Sequence, residues 1–177
     1  MVTQRSSNAK APEVKVSQKP FWKGSRGEWY LVVQAFLFLL VIFGPHTCKW
    51  MTEWKYPFTW IGTLGGSLFL MAGVLLAAYG TVNLGKNLTP LPLPKKNASL
   101  IITGAYRFVR HPIYSGIIFM AVGWGLWLHS LLNIFYALLL FVFFDIKSRF
   151  EERLLEVKFP EYAAYRKRAS KLIPWVY

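Results

Sequence analysis

The chain has 177 residues, 54% hydrophobic and 18% aromatic, with 21 Lys+Arg against 8 Asp+Glu and a net charge of +13. That apolar content excludes disorder for most of the chain, and its one cysteine, Cys48, excludes an internal disulfide framework or a thiolate metal cage. A mean hydropathy of +0.32 beside so basic a balance points to a membrane rather than to nucleic acid.

Residues 1–20 are polar, contain Pro12 and Pro20, and read as a disordered part of a basic tail over 1–28 with no signal-peptide core. Four charge-free blocks follow: Trp29–Gly44, Phe58–Gly80, Pro112–Leu128 and Leu131–Phe144. A helix crossing ~30 Å of hydrocarbon needs ~20 residues. The second block meets that alone. The third and fourth flank His129 and Ser130 and read as a helical hairpin. Gly62 and Gly66 form a G-x-x-x-G on the second block, with Gly65 and Gly73 nearby, which suits close helix packing.

The expected fold is all-α, with four transmembrane helices followed by cytoplasmic amphipathic helices. It divides into the 1–28 tail, a first helix pair over 29–80, and a core over 81–177. Basic residues number six in 1–28, two in 45–57, five in 81–111, none at the hairpin turn and eight in 145–177. With four spans, nineteen fall on one side, which the positive-inside rule makes cytoplasmic together with both termini. Trp50, Trp54, Trp60, Trp124 and Trp127 then gather at the outer interface as an aromatic belt. The charge is accounted for by topology and attraction to anionic membrane lipids, with no nucleic-acid partner.

The proline-rich connector Leu84–Pro94 is stiff and extended, and suits either a lid or a plain link. Its two N-x-S/T matches with the following segment, at Asn87 and Asn97, read as chance. After the fourth block a helix continuing from the fourth span is expected over Lys147–Phe159, broken by Pro160, then a short one over Glu161–Arg168, both lying against the membrane surface.

Polar residues intrude on the apolar pattern at Tyr106–Gly116 and Asp145–Glu152. His111 and Glu151 are 40 residues apart, and their midpoint, residue 131, lies at the hairpin turn. Equal climbs and descents at ~1.5 Å per residue bring them to one depth. Arg110, His111 and Tyr114 are therefore expected to face Lys147, Arg149, Glu151 and Glu152. Taken singly, these residues also suit a helix start at Pro112, interface anchors at Arg110 and Tyr114, and a solvated charged face on the last helix. Glu151 and Glu152 project ~100° apart, so one ligand does not meet both. No glycine-rich nucleotide loop, P-loop, metal-ligand spacing or Ser-His-Asp set is present, and no metal is expected.

From Leu84 to Pro174 the chain resembles the isoprenylcysteine carboxyl methyltransferases and the related phospholipid methyltransferases. The resemblance rests on Gly104-x-Tyr106, Arg110-His111-Pro112-x-Tyr114-x-Gly116, Glu151-Glu152 and Glu161-Tyr162-x-x-Tyr165-Arg166-Lys167-Arg168 before Pro174. It implies an integral membrane enzyme that takes the methyl group of S-adenosyl-L-methionine and passes it to a lipidic or prenylated small acceptor. The cofactor is then held by Leu100, Ile101, Tyr106, His111, Pro112, Ile113, Tyr114 and Glu151. The family places an arginine one turn before the glutamate, where it holds the acceptor carboxylate. Here that position is Lys147, with Arg149 two residues on, and lysine lacks the bidentate fork. Arg110 is placed to share the role, and Glu152 or His111 to act as base for an amine or hydroxyl acceptor. Some sterol reductases carry a similar core and use a nicotinamide cofactor, which leaves a membrane reductase as the second reading. A non-catalytic membrane scaffold is the third.

Overall fold

A computed structural model describes residues 27–47, 54–95 and 97–177. The basic tail up to residue 26, Cys48, Lys49, Trp50 and Lys96 lie outside the described residues.

Five helices form, with no strand among the described residues: α1 (Glu28–Phe43), α2 (Phe58–Leu84), α3 (Pro112–Trp127), α4 (Leu131–Lys158) and the short α5 (Tyr162–Arg166). Local chemistry sets several of the ends. Pro112 opens α3, where its missing N–H costs nothing. Ser130 caps α4, its Oγ accepting from the Asn133 N–H at 3.1 Å. Gly85, at φ +50°, closes α2 and leads into a 3₁₀ turn.

Two helices are long and apolar enough to cross a membrane: Phe58–Asn87, which is α2 with that turn, and Leu131–Lys158. The charge pattern predicts four spans, and the other two apolar helices, α1 and α3, have 16 residues each. Contacts run in the order α2–α3–α4–α1. The core lies between α1, α3 and α4, where Leu37, Ile118, Tyr136, Leu140 and Phe144 are buried. Leucines and aromatics on the outer faces of α1 and α2 stay exposed.

α2 buries glycines: Gly62, Gly66, Gly73 and Gly80 are its buried residues. Their spacing keeps them on one stripe, and α3 answers with Gly116 and Gly123. A Cβ on Gly73 would lie 2.6 Å from the Gly116 carbonyl oxygen, and one on Gly116 would lie 2.5 Å from the Gly73 oxygen. The backbones touch there, as small residues permit. A Cβ on Gly65 would meet nothing within 4 Å, so Gly65 is not part of the seam. Gly73→Leu is expected to lower stability by about 2 kcal/mol, since backbone rather than a flexible side chain stands in the way. Gly65→Leu should leave the thermal unfolding midpoint in detergent unchanged.

At the end where α3 meets α4, histidines make two of the polar links between segments, and Asn133 adds another to the Val41 carbonyl oxygen at 3.0 Å. His46 Nδ1 lies 2.9 Å from Asn133 Oδ1, and His129 Nε2 lies 2.7 Å from the Thr59 carbonyl oxygen. Trp54 packs on His129, and Trp124 stacks on Trp127. His111 stands at the opposite end of α3.

In the C-terminal quarter the expected continuation of the fourth helix is present, and the segment after it differs from expectation. No helix breaker stands between Phe144 and Phe159, so α4 continues unbroken to Lys158 and carries residues 145–158 onward along its own axis. The second helix is only the five residues of α5, and it is anchored inward: Tyr162, Tyr165 and Ala169 are buried against Leu100, Leu155 and Phe159. Beyond α5 the chain returns to the start of α3. Arg110 N–H donates to the Ser170 carbonyl (2.8 Å) and His111 N–H to that of Lys171 (3.2 Å), around a single parallel bridge between Val109 and Ser170.

Candidate functional site

Where α3 begins, α4 passes and the proline-rich connector folds over, the protein forms a partly open cavity of about 360 Å³. That falls within the size range of small-molecule sites. Leu88 and the run Pro90–Pro94 form one wall, so the connector acts as a cover. Two contacts hold it down. A Cβ on Gly27 would lie 2.5 Å from Pro92 Cγ, showing how closely the start of α1 meets the connector. Lys147 Nζ reaches the Pro90 carbonyl oxygen at 3.5 Å. Leu100, Ile101, Ile113 and Leu155 add apolar surface.

Against these walls stand a few polar groups from α3 and α4. Tyr114 Oη donates to Glu151 Oε1 at 2.5 Å, and its ring stacks on Phe144 at 4.4 Å. Lys147, on the same face of α4 one turn earlier, has Nζ 4.0 Å from Glu151 Oε1 and 5.0 Å from the centre of the Tyr114 ring. Its side chain is only 2% exposed, and it donates to Gln34 Oε1 of α1 at 2.8 Å. A buried ammonium needs such partners, because desolvation without them costs several kcal/mol (order of magnitude). The cavity thus presents a cation and a carboxylate side by side.

From the cavity wall a second layer of polar groups runs inward to Glu152. His111 stacks flat on Tyr114, with rings 5.4 Å apart and 5° from parallel. Its Nε2 is 3.2 Å from Glu152 Oε1 and its Nδ1 is 3.7 Å from Glu151 Oε2, so the imidazole bridges the acidic pair. Arg110 Nε donates to Glu152 Oε1 at 2.7 Å while its Nη1 donates to the carbonyls of Arg166 and Ala169. Arg110 therefore ties α3, α4 and the returning C-terminal segment together.

In the loop before α3, Gly104 at φ +63° permits a 3₁₀ turn in which the Ala105 N–H donates to Asn83 Oδ1 at 2.8 Å. This turn sets Tyr106 into the cavity wall. Tyr165 Oη donates to the Tyr106 carbonyl oxygen at 2.5 Å. Burial, and then the nearby Tyr165 and Glu151, hold the Tyr106 phenol above its ordinary range. Burial does the same for Tyr165. Both stay protonated, and Tyr165 serves as a donor.

Of the residues singled out from sequence, Leu100, Ile101, Tyr106, Arg110, His111, Ile113, Tyr114, Lys147 and Glu151 line the cavity. Pro112 does not; it is buried against Gly80 and shapes the first turn of α3. Glu152 faces away from the cavity and holds Arg110 and His111. Arg149 is not brought to the site: its side chain is 62% exposed and pairs with Asp145 at 2.7 Å on another face of α4. Two residues apart on a helix means ~200° of rotation, so Lys147 and Arg149 cannot share a ligand. Sequence reasoning did not assign Gln34, Asn87 or Tyr165 to the site, although Gln34 stands out as the one polar residue of its apolar block and Tyr165 is among the residues that carry the resemblance.

Residues 60–161 match the phospholipid methyltransferase family. The chain is 31% identical to the cobalt-zinc-cadmium resistance protein CzcN of Cupriavidus metallidurans, over 84% of this chain and 62% of that one. It is 30% identical to a protein-S-isoprenylcysteine O-methyltransferase of Schizosaccharomyces pombe, over 61% of this chain and 48% of the relative. Its identity to methanethiol S-methyltransferase 1 of Bradyrhizobium diazoefficiens is 34%, over 51% of this chain and 29% of the relative. In each case the match spans less than two thirds of the relative's length.

Proposed function

The chain belongs to the phospholipid methyltransferase family, and from that premise we propose that it is a four-span membrane methyltransferase using S-adenosyl-L-methionine, with a carboxylate of a lipidic, isoprenylcysteine-like molecule as acceptor. The observation that carries this reading is the cavity in which Lys147 and Glu151 stand together among apolar walls, at the charged end of a helical hairpin. Its site lies at the cytoplasmic face, with both termini on that side. The asymmetry of basic residues supports that orientation.

The residues present fit the cofactor. Its ammonium calls for a carboxylate, which Glu151 offers, and its flat adenosine portion calls for apolar and aromatic walls, which Leu100, Ile101, Ile113, Tyr106 and Tyr114 offer. Bound there, the cofactor supplies a methyl group activated by a sulfonium. His111 keeps Tyr114 and Glu151 in register by stacking on the one and bridging to the other. Lys147 orients the acceptor carboxylate, with Arg110 flanking. An ionised carboxylate is already a nucleophile, so no side chain has to take a proton. The protein's contribution is alignment and exclusion of water by the proline-rich cover. The low polarity of the walls strengthens each charge contact within them.

The test is transfer of a radiolabelled methyl group from S-adenosylmethionine to prenylcysteine analogues and to membrane lipids. Calorimetric titration with S-adenosylmethionine and with NADPH runs alongside it. Glu151→Gln keeps an oxygen acceptor for Tyr114 but loses the charge, and is expected to raise the cofactor KM about tenfold. Equal labelling by the variant would remove Glu151 from the site. NADPH binding without S-adenosylmethionine binding would replace the reading with a reductase.

A further inference from the structure

Beside Glu152, which lines it but not the cavity, lies a second recess of about 510 Å³, lined also by Arg149, Arg153, Arg166, Lys171 and Tyr177, and by Arg110, which borders both. Apart from Arg110, the methyl-transfer proposal makes no use of its residues. Its five cations meet three carboxylates. Arg149 and Lys171 share Asp145, while Arg110 and Arg166 share Glu152, and Arg166 also pairs with Glu156. Arg153 is exposed and has no ion pair among the described residues. A surplus of positive charge therefore faces outward.

The apolar surroundings say what kind of anion fits. Along α4 one exposed stripe runs through Leu138, Val142, Ile146, Arg149 and Arg153, at helical spacings of three and four. It is hydrocarbon up to Ile146 and guanidinium beyond it. Next to the recess Trp175 and Val176 are 81% and 79% exposed, and Phe108, half exposed, packs on Trp175 at 5.8 Å. Exposed aromatics beside a basic recess, above an apolar helix face, are the features of a membrane boundary. A soluble anion would use the cations alone. A lipid with a phosphate headgroup uses both parts of the stripe.

We propose that this recess binds the headgroup of an anionic glycerophospholipid, with an acyl chain lying on the Leu138–Val142–Ile146 face. This is separate from the acceptor site, since Glu152 and Arg110 stand between the two. It rests on reading α4 as a membrane span.

The experiment uses the full chain purified in detergent and scored by native mass spectrometry for adducts of dioleoyl phosphatidylglycerol and dioleoyl phosphatidylcholine. Inorganic phosphate is offered as a competitor. Phosphatidylglycerol adducts are expected to dominate and to survive millimolar phosphate. Arg149→Gln and Arg153→Gln should each weaken them about fivefold. Arg168→Gln, an exposed cation outside the recess, should not. Equal retention of both lipids, displacement by phosphate alone, or equal weakening by Arg168→Gln would overturn the proposal. A chain that is soluble and monodisperse without detergent would instead sink the membrane reading on which it stands. Failure of S-adenosylmethionine to bind in the calorimetric titration would sink the methyltransferase reading and leave the lipid result unaffected.

Discussion

Glu152→Ala is expected to destabilise the protein by about 3–5 kcal/mol, the usual cost of removing one partner from a buried charge pair. The carboxylate is 4% exposed and is shared by Arg110 Nε at 2.7 Å, His111 Nε2 at 3.2 Å and Arg166 Nε at 3.6 Å. Its loss leaves the Arg110 guanidinium, itself 9% exposed, with backbone carbonyls alone. Those carbonyls belong to the segment that returns from α5 to the start of α3, so the loosening should spread to the Val109–Ser170 bridge and to His111. The measurement is thermal unfolding in detergent, with hydrogen exchange at residues 108–111 and 169–172 as the local readout. A double-mutant cycle separates burial cost from pair strength. Arg110→Met with Glu152→Leu removes both charges and should recover most of the loss. If the double variant is as unstable as Glu152→Ala, the pair is not what holds this corner.

The parts of the fold legible in the sequence are those written in composition. Charge-free blocks begin where helices begin, to within a residue: the second block begins at Phe58, as α2 does, and the hairpin turn falls at His129 and Ser130. Packing of α2 through glycines was legible as well, but not which glycines. Gly62, Gly66, Gly73 and Gly80 share a stripe whose phase depends on the partner helix, and the answering Gly116 and Gly123 sit on α3 with no sequence link to them. The return of the C-terminus escaped entirely. Its pairing consists of backbone hydrogen bonds between residues some 60 positions apart, and backbone bonds leave no mark on residue identity.

The site was legible through helical arithmetic, and misread where that arithmetic was not carried through. Counting from the turn places His111 level with the acidic pair. The ~100° per residue that separates Glu151 from Glu152 equally separates Lys147 from Arg149 by ~200°. Applied to both pairs, it leaves Lys147 and Glu151 on the cavity side and turns Arg149 toward Asp145. Gln34 carried a signal of another kind. A lone amide in an apolar helix calls for a buried partner, and Lys147 is that partner.

Lys147→Met is expected to reveal the acceptor's chemistry through its size of effect. The substitution keeps the length and apolar stem of the side chain and removes the ammonium that reaches Gln34 Oε1 at 2.8 Å and faces Glu151 at 4.0 Å. If that ammonium holds an acceptor carboxylate, its loss forfeits a charge-assisted hydrogen bond inside an apolar cavity. That is worth ~2–3 kcal/mol, or about 100-fold in kcat/KM. A thiol acceptor gives up its proton and reacts as the thiolate, a soft and weakly hydrogen-bonding anion, so the same substitution should cost it less, about tenfold through the thiolate fraction. Competition assays with prenylcysteine and a short-chain thiol on one protein preparation place both numbers on a common scale. Cofactor affinity, read by titration, serves as the internal reference, because Glu151 and Tyr114 keep their own hydrogen bond when Lys147 is gone. A 100-fold loss for the carboxylate acceptor against a smaller one for the thiol assigns Lys147 to the acceptor. Equal losses with both acceptors, together with weakened cofactor binding, assign it instead to the carboxylate end of the cofactor. Lys147→Arg sharpens the distinction: a guanidinium can form a two-pronged contact, and it should recover the carboxylate acceptor only if the longer side chain still fits beneath the Pro90 carbonyl.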